Sequence, residues 1–435
     1  MFNAASSGVF FVPPALIGTL DAVLAAPDDE GDQHQQAMGR ALRDGGFLVP
    51  ADVGELKAVE ERYACDLNAG TLMVVVAPTM ECNLACVYCF QERAPGQVDA
   101  TAEDKIAGAI ARHLEAGRYK RLVIDWFGGE PLVAEAAILR LSRRLQAVAQ
   151  EAGVSYGAQM ATNGARLPQD LDEFIRLTHL QEAQVTLDGP AEQHNARRPF
   201  RGGQPSFAAI STNCRRLAER LPVLLRINVD TTTALEPDRL LDALEEAGLC
   251  APGLDILPYV ASVSPFTEAC ADVCSTAFRP EAFLRYCLAF QVALLRRRPD
   301  LPVDTVMEQP RALSRTCGAV SQHTLGFDYA GRVFKCGLEL HDPKLAAGPA
   351  DDPHLRQQPN WRKWLEHEPT RVPTCRDCNY LPACMGGCPK YNWAEGYAHR
   401  RDACVFWHDV FPDHLRTMVR MKMERAREHA EEAAG

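Results

Sequence analysis

Thr71-Leu72-Met73-Val74-Val75-Val76-Ala77 is a strand-sized apolar run, and after three further residues stands Glu81-Cys82-Asn83-Leu84-Ala85-Cys86-Val87-Tyr88-Cys89-Phe90. A β-branched run that opens directly into a cysteine-bearing loop puts the thiols at a strand's carboxyl end, where parallel α/β sheets gather their ligands. The spacing is C-x3-C-x2-C. Three thiolates on one short loop can take three corners of a cubane iron–sulfur cluster, and no fourth protein ligand stands nearby. A closed zinc site wants four ligands, and a cluster that only carries electrons is usually fully ligated by cysteine. The pattern therefore points to a cluster with one iron open.

Outward from this stretch the chain alternates strands and helices. Strand-like runs lie at 71–77, 121–127, 155–161, 183–188, 222–230 and 254–260. Between and after them, apolar residues at three- and four-residue spacing predict helices at 102–117, 133–152, 168–178, 207–220, 236–248 and 280–297. This alternation predicts an α/β fold with a parallel sheet, either open or a partial barrel. Residues 1–70 read differently, with amphipathic stretches near 15–25, 34–44 and 54–64 and a break at Gly45-Gly46-Phe47. After about residue 300 cysteine spacing replaces the alternation, and a charged amphipathic helix closes the chain from about Phe411 to Ala434.

Composition narrows the function classes. The 435 residues carry 46 Lys+Arg against 57 Asp+Glu, a net charge of −11, which argues against a nucleic-acid binder and its basic face. A 47% hydrophobic and 24% charged composition fits a globular protein. No Lys or Arg precedes Arg40, and no apolar run approaches the roughly 20 residues that span a bilayer. A cytoplasmic location with no membrane partner is the expectation, and sixteen cysteines there read as metal or cluster ligands before disulfides.

With its tyrosine before the third cysteine, the 81–90 loop resembles the cluster loop of the radical SAM superfamily. Trp126-Phe127-Gly128-Gly129-Glu130-Pro131-Leu132 resembles that family's GGEP element. The resemblance implies a partial (β/α)6 TIM-like barrel in which Cys82, Cys86 and Cys89 hold a 4Fe–4S cluster and S-adenosylmethionine (SAM) chelates the open iron. It gives Gly128, Gly129, Glu130 and Pro131 the SAM amino group, with Glu130 as a charged partner. Asn163 of Thr162-Asn163-Gly164, and Thr186 and Asp188 of Thr186-Leu187-Asp188-Gly189-Pro190, would contact its ribose and carboxylate. Arg226 would either pair with a carboxylate or form a structural ion pair. The segment around Tyr259 resembles the one whose backbone brackets adenine.

A second cysteine field resembles the SPASM extension of the same superfamily. Cys317 is separated by thirteen residues from Gly331, and four more residues separate that glycine from Cys336; Cys375-x2-Cys378-x5-Cys384-x3-Cys388 and Cys404 follow. A zinc ribbon is the alternative for CxxC followed by CxxxC, although seven cysteines exceed one tetrahedral site. The resemblance implies two auxiliary 4Fe–4S clusters, one on Cys317, Cys336 and Cys388 and one on Cys375, Cys378, Cys384 and Cys404. Fully ligated relatives have a further cysteine where His323 stands here, so His323, another cysteine such as Cys270 or Cys274, or an open iron completes the first. Cys65, Cys214, Cys250 and Cys287 read as small buried hydrophobes.

The expected organisation is a small N-terminal unit at 1–70 that could recognise a peptide by strand addition, a radical SAM core at 71–300, and an irregular iron–sulfur domain with a terminal helix at 301–435. The implied activity cleaves SAM reductively to a 5′-deoxyadenosyl radical and takes hydrogen from a ribosomally made precursor peptide, leaving a cross-link or other oxidative modification. An electron donor such as flavodoxin or ferredoxin is implied. The alternatives are a small-molecule substrate, sulfatase maturation and a zinc-stabilised binding protein. Gly337 stands where sulfatase-maturing relatives place an aspartate base, which counts against the second of these.

Overall fold

The computed structural model describes all residues except 30, 67–69, 265–274, 391–403 and 435. The candidate fillers Cys270 and Cys274 lie outside the described residues. The chain forms two compact units that are not consecutive in sequence. The larger takes Ala69–Met307, Gly318–Glu366 and His408–Gly435; the smaller takes Met1–Asn68, Glu308–Cys317 and His367–Trp407.

Six strands of the larger unit pair in parallel in chain order: β1 (Thr71–Val76), β2 (Arg121–Trp126), β3 (Ser155–Thr162), β4 (Leu180–Thr186), β5 (Val223–Val229) and β6 (Ile256–Ser262). Helices Ala100–Ala116, Glu135–Glu151, Leu171–Thr178, Phe207–Ala218, Pro237–Glu246 and Pro280–Arg297 alternate with or follow them. Local chemistry sets their starts. The carboxylate of Asp99 accepts Ala102 N–H at 2.8 Å and that of Asp170 accepts Glu173 N–H at 2.9 Å, each satisfying an amide that the first turn leaves unpaired. Strand alternation then divides the sheet's faces. Leu72, Val74 and Val76 with Leu122, Ile124 and Trp126 are fully buried in one core with Ile106, Ile110, Ile138 and Leu141 of the helices.

The sequence pattern missed the rest of this sheet. β7 (Thr324–Phe327) pairs in parallel with β1, and β8 (Arg332–Phe334) and β9 (Gly348–Pro349) continue it antiparallel, giving an open nine-stranded sheet ordered β9-β8-β7-β1-β2-β3-β4-β5-β6. Residues 301–435, read from sequence as one domain, therefore divide between the units. The terminal helix Phe411–Ala434 also belongs to the larger one, where Met418 and Met421 pack on Leu295, Val303 and Met307.

In the smaller unit the N-terminal residues and the late cysteines share a core. A two-residue antiparallel ladder, Phe2–Asn3 with Gly8–Val9, leads into helices Ile17–Ala25, Gln33–Asp44 and Glu55–Cys65. Val59 of the third helix packs with Cys375, Leu381 and Met385. The Tyr63 hydroxyl donates to His367 O, and the Arg315 guanidinium lies 3.6 Å from the Tyr63 ring centre. Cys214 and Cys250 are buried as the sequence suggests, whereas Cys65 is exposed. Among the described residues no helix is long and apolar enough to cross a membrane.

Candidate active site

A cavity of about 430 Å³ opens at the carboxyl ends of β1–β6. Cys82, Cys86 and Cys89 form part of its wall. Burial pushes all three thiols up, and each feels the charge of another: Cys82 that of Cys86, Cys86 that of Cys89, and Cys89 that of Cys82. The Asn163 amide donates to Cys82 Sγ at 3.6 Å and to Asn83 Oδ1 at 2.7 Å. Among the described residues no three His, Cys, Asp or Glu side chains are placed to hold a single metal ion. Three thiols that sense one another on one cavity wall are a donor set of the kind that takes three corners of a cluster.

The cysteine loop is held from two sides. On one, Gly129 N–H donates to Thr79 O at 3.1 Å and Glu130 N–H to Glu81 O at 2.8 Å. Side chains cannot fit between these backbones. Gly128 has φ +119°, and a Cβ on Gly129 would meet Glu81 O at 2.3 Å. On the other side, Ala85 N–H donates to Pro199 O at 2.8 Å, Val87 N–H to Arg197 O at 3.0 Å and Arg201 N–H to Asn83 O at 3.1 Å.

Gly128, Gly129, Asn163, Thr186 and Arg226 reach the cavity wall. Glu130, Pro131 and Asp188 are not on that wall. The Glu130 carboxylate is 1% exposed and accepts from Leu132 N–H at 3.0 Å, Asn163 N–H at 2.7 Å and Thr162 Oγ1–H at 2.7 Å. Burial raises its pKa against those donors. It joins the glycine turn to the end of β3, and its oxygens are taken by the protein itself. Asp188 is fully buried, and its Oδ2 receives Arg197 Nε at 3.2 Å. Pro131 is buried at the start of the short turn Pro131–Ala134.

The sequence reading missed Arg198, Asn228 and Gln184 on the wall. Two of them had a signal. Gln184 and Thr186, like Arg226 and Asn228, are polar residues two apart on a strand and so share one face. Arg226 Nε donates to Asn228 Oδ1 at 2.8 Å, and the Tyr259 hydroxyl to Gln184 Oε1 at 2.7 Å. Arg198 Nη1 and Asn228 Nδ2 both donate to the Tyr88 hydroxyl, at 2.7 and 3.0 Å. Burial works against the Arg198 charge, but Tyr88, Cys86 and Asp188 raise its pKa overall. The guanidinium adds a fixed positive charge to this polar end of the cavity. Leu338, two residues past Cys336, also lines it.

The late cysteines fall into two groups. In the smaller unit, burial pushes the Cys384 thiol up to about 12, with Cys375, Cys404 and Cys378 adding to the effect. Cys384 thus lies within electrostatic reach of the other three thiols. The helix Leu381–Cys384 ends on Met385, Gly386 and Gly387, all of positive φ, a turn that leads on to Cys388. The set Cys317, Cys336 and Cys388 is divided, Cys336 belonging to the larger unit and the others to the smaller. His323 precedes β7, where its carbonyl accepts Met73 N–H at 2.9 Å and its ring Nδ1 hydrogen-bonds with the Tyr119 hydroxyl at 2.9 Å.

Comparisons with known proteins bear on this arrangement. Residues 76–244 match the family model described as the Radical SAM superfamily. The chain is 26% identical over 323 residues to the mycofactocin maturase MftC of Mycobacterium tuberculosis, covering 71% of this chain and 76% of that protein. It is 28% identical over 148 residues to a serine-type anaerobic sulfatase-maturating enzyme of Bacteroides thetaiotaomicron, covering 33% of this chain and 35% of that relative's length. The solved structure of native anSMEcpe with bound AdoMet and Cp18Cys peptide superposes with a TM-score of 0.58 at 16% identity, over 81% of this chain and 99% of that one. The matched family implies a 4Fe–4S cluster and SAM, which the cysteine triangle and its cavity accommodate. The matched residues, 76–244, run from the end of β1 through the cysteine loop and the glycine turn, so it is this part of the chain that resembles a radical SAM domain.

Proposed function

We propose that this chain is a maturase that installs an oxidative modification, such as a cross-link, on a ribosomally made precursor peptide. The observation that carries the reading is the cysteine triangle on the wall of a cavity large enough for SAM, in a chain similar over most of its length to a named maturase. Cys82, Cys86 and Cys89 would hold the cluster. Burial leaves the free thiols protonated, so loading releases protons. The cluster these cysteines would hold would supply the electron for reductive cleavage of SAM, and with it the hydrogen-abstracting chemistry directed at the peptide.

This chain's residues then have separable tasks. Gly128 and Gly129 let SAM approach the backbone, while Asn163, Thr186 and Arg226 offer polar contacts from three strand ends. Arg198 supplies the fixed positive charge suited to the SAM carboxylate. Glu130 and Asp188 support the walls from behind. Cys375, Cys378, Cys384 and Cys404 would hold an auxiliary 4Fe–4S cluster able to take up the electron that a substrate radical must lose. An external donor such as flavodoxin or ferredoxin would reduce the SAM-binding cluster.

Sulfatase maturation is the second reading, favoured by the sulfatase-maturating relative. Against it, Gly337 has no side chain to act as a base. Co-expression with short peptides encoded beside the gene, followed by mass spectrometry, separates the substrates. A mass loss or cross-link on such a peptide is expected. 5′-Deoxyadenosine production with no altered peptide would favour a small molecule. Replacing Cys82, Cys86 and Cys89 together by alanine should abolish 5′-deoxyadenosine formation.

A further inference from the structure

We propose that Arg197 is the positioning residue of the cysteine loop, the point at which two strand ends fix the strap that carries the three thiols. The inference rests on the reading of Cys82, Cys86 and Cys89 as cluster ligands.

The strap is residues 197–201, Arg-Arg-Pro-Phe-Arg. Its hydrogen bonds to Asn83, Ala85 and Val87 alternate along the loop as an antiparallel bridge does, and Leu84 pairs opposite Phe200. The loop has no other ladder on this side among the described residues. Its register therefore depends on what holds the strap.

Arg197 holds it through its backbone carbonyl and its guanidinium. Its carbonyl accepts Val87 N–H at 3.0 Å. Its guanidinium lies 4.8 Å from the centre of the Tyr88 ring, beside Cys89. The same guanidinium donates through Nε to Asp188 Oδ2 at 3.2 Å, and through Nη1 to Asp230 Oδ2 at 2.7 Å and Thr233 Oγ1 at 2.9 Å. Asp188 lies two residues past β4 and Asp230 directly after β5. All three charged groups are buried, at 7%, 0% and 6% exposure. The buried Arg198 beside them supplies the second positive charge that balances the two carboxylates. On the preceding helical turn, His194 Nδ1 accepts Asp188 N–H at 3.0 Å, which ties the helix Ala191–Arg197 to the same strand end.

Arg197 is absent from the cavity wall, so it acts through the loop and does not touch SAM. A lysine keeps the charge but cannot span Asp188, Asp230 and Thr233 with one planar fork. Asp188, which the family resemblance assigns to SAM, becomes an anchor for Arg197 in this structure.

The test uses the full chain with Arg197→Gln and Arg197→Lys, and Asp230→Asn as a milder variant should the first two fail to fold. Hydrogen exchange of the metal-free protein is read at the amides of Ala85 and Val87. Exchange there should quicken about tenfold or more while β2 and β5 stay protected. Reconstituted variants should keep their iron but show a raised KM for SAM and an altered electron paramagnetic resonance shift on SAM addition, with Arg197→Lys nearer the parent than Arg197→Gln. Unchanged exchange at Ala85 and Val87, or an equal rise throughout the sheet, overturns the proposal. So does a fall in kcat with neither KM nor spectrum moved. A parent enzyme that takes up no cluster would instead overturn the reading of the three cysteines and leave the exchange result to judge the strap.

Discussion

The two cysteine sets solve opposite problems. Cys82, Cys86 and Cys89 sit on a loop with little structure of its own, fixed by backbone hydrogen bonds to the glycine turn on one side and to residues 197–201 on the other. They face a cavity. Cys375, Cys378 and Cys384 sit on or beside two four-residue helices, with Cys375 itself part of the apolar core. Cys384 there feels three other thiols, whereas each early cysteine feels one. On the proposed reading, one set would leave a ligand position open and the other would close around its contents. An open site has to take its rigidity from outside, and this explains why so many residues behind the early loop are buried, charged and paired.

The sharpest way to break this contrast is to disturb a support and leave every ligand in place. Gly129→Ala puts a methyl group 2.3 Å from Glu81 O and 2.6 Å from Met80 O, neither of which can move without moving the loop. Displacement by about an ångström costs reactions of this kind about 100-fold, so 5′-deoxyadenosine formation should fall by that factor or more. Iron held at Cys375, Cys378, Cys384 and Cys404 should be unaffected. Activity within a few-fold of the parent would show that the turn is no support.

The converse change is Cys384→Ala. Here the closed set loses a ligand and the open one is untouched, so bound iron should drop by about four per chain while 5′-deoxyadenosine still forms. Turnover of the peptide should be lost because the substrate electron has no acceptor. Full iron retention, measured by colorimetric assay of the reconstituted protein, would remove the four-cysteine cluster from the scheme.

The six-stranded alternation was readable because β1–β6 are long enough for their periodicity to show. β4 was displaced, starting at Leu180 and not near 183, because Gln181 and Glu182 obscure the alternation and His179 turns straight into the strand with φ +53°. β7, β8 and β9 have four, three and two residues, too short for any period to register. They are held by edge pairing, β7 to β1, β8 to β7 and β9 to β8, and the first of these joins distant parts of the chain. At the site, motif residues were legible by spacing, but their orientation was not. Glu130 and Asp188 carry the right charge in the right motif, yet neither is on the wall: Leu132, Thr162 and Asn163 take the oxygens of Glu130, and Arg197 takes Oδ2 of Asp188. Arg197 and Arg198 stood in a segment with no pattern, and their importance arises only where β4 and β5 end side by side.

The smallest predicted effect concerns acid. Burial holds His194 down at about 3 and His113 at about 4, so both are neutral in the folded sheet unit and charged in the unfolded chain below about pH 6.5. The unfolded state then binds protons the folded state refuses, and stability falls with pH by up to about 1.4 kcal/mol per unit for each histidine. Asp125 works the other way. Burial raises it to about 6, so the folded unit holds a proton there that the unfolded chain releases, offsetting one histidine between about pH 4 and 6. The net loss is thus about that of one histidine from about pH 6 down to about pH 4.5. Hydrogen exchange from pH 7 to 5, corrected for intrinsic rates, should show β4 and β5 loosening before residues 375–388. His194→Gln should lower overall stability yet flatten that acid dependence by up to one proton. An unchanged slope in the variant would place the acid sensitivity elsewhere and separate it from the anchoring of Asp188.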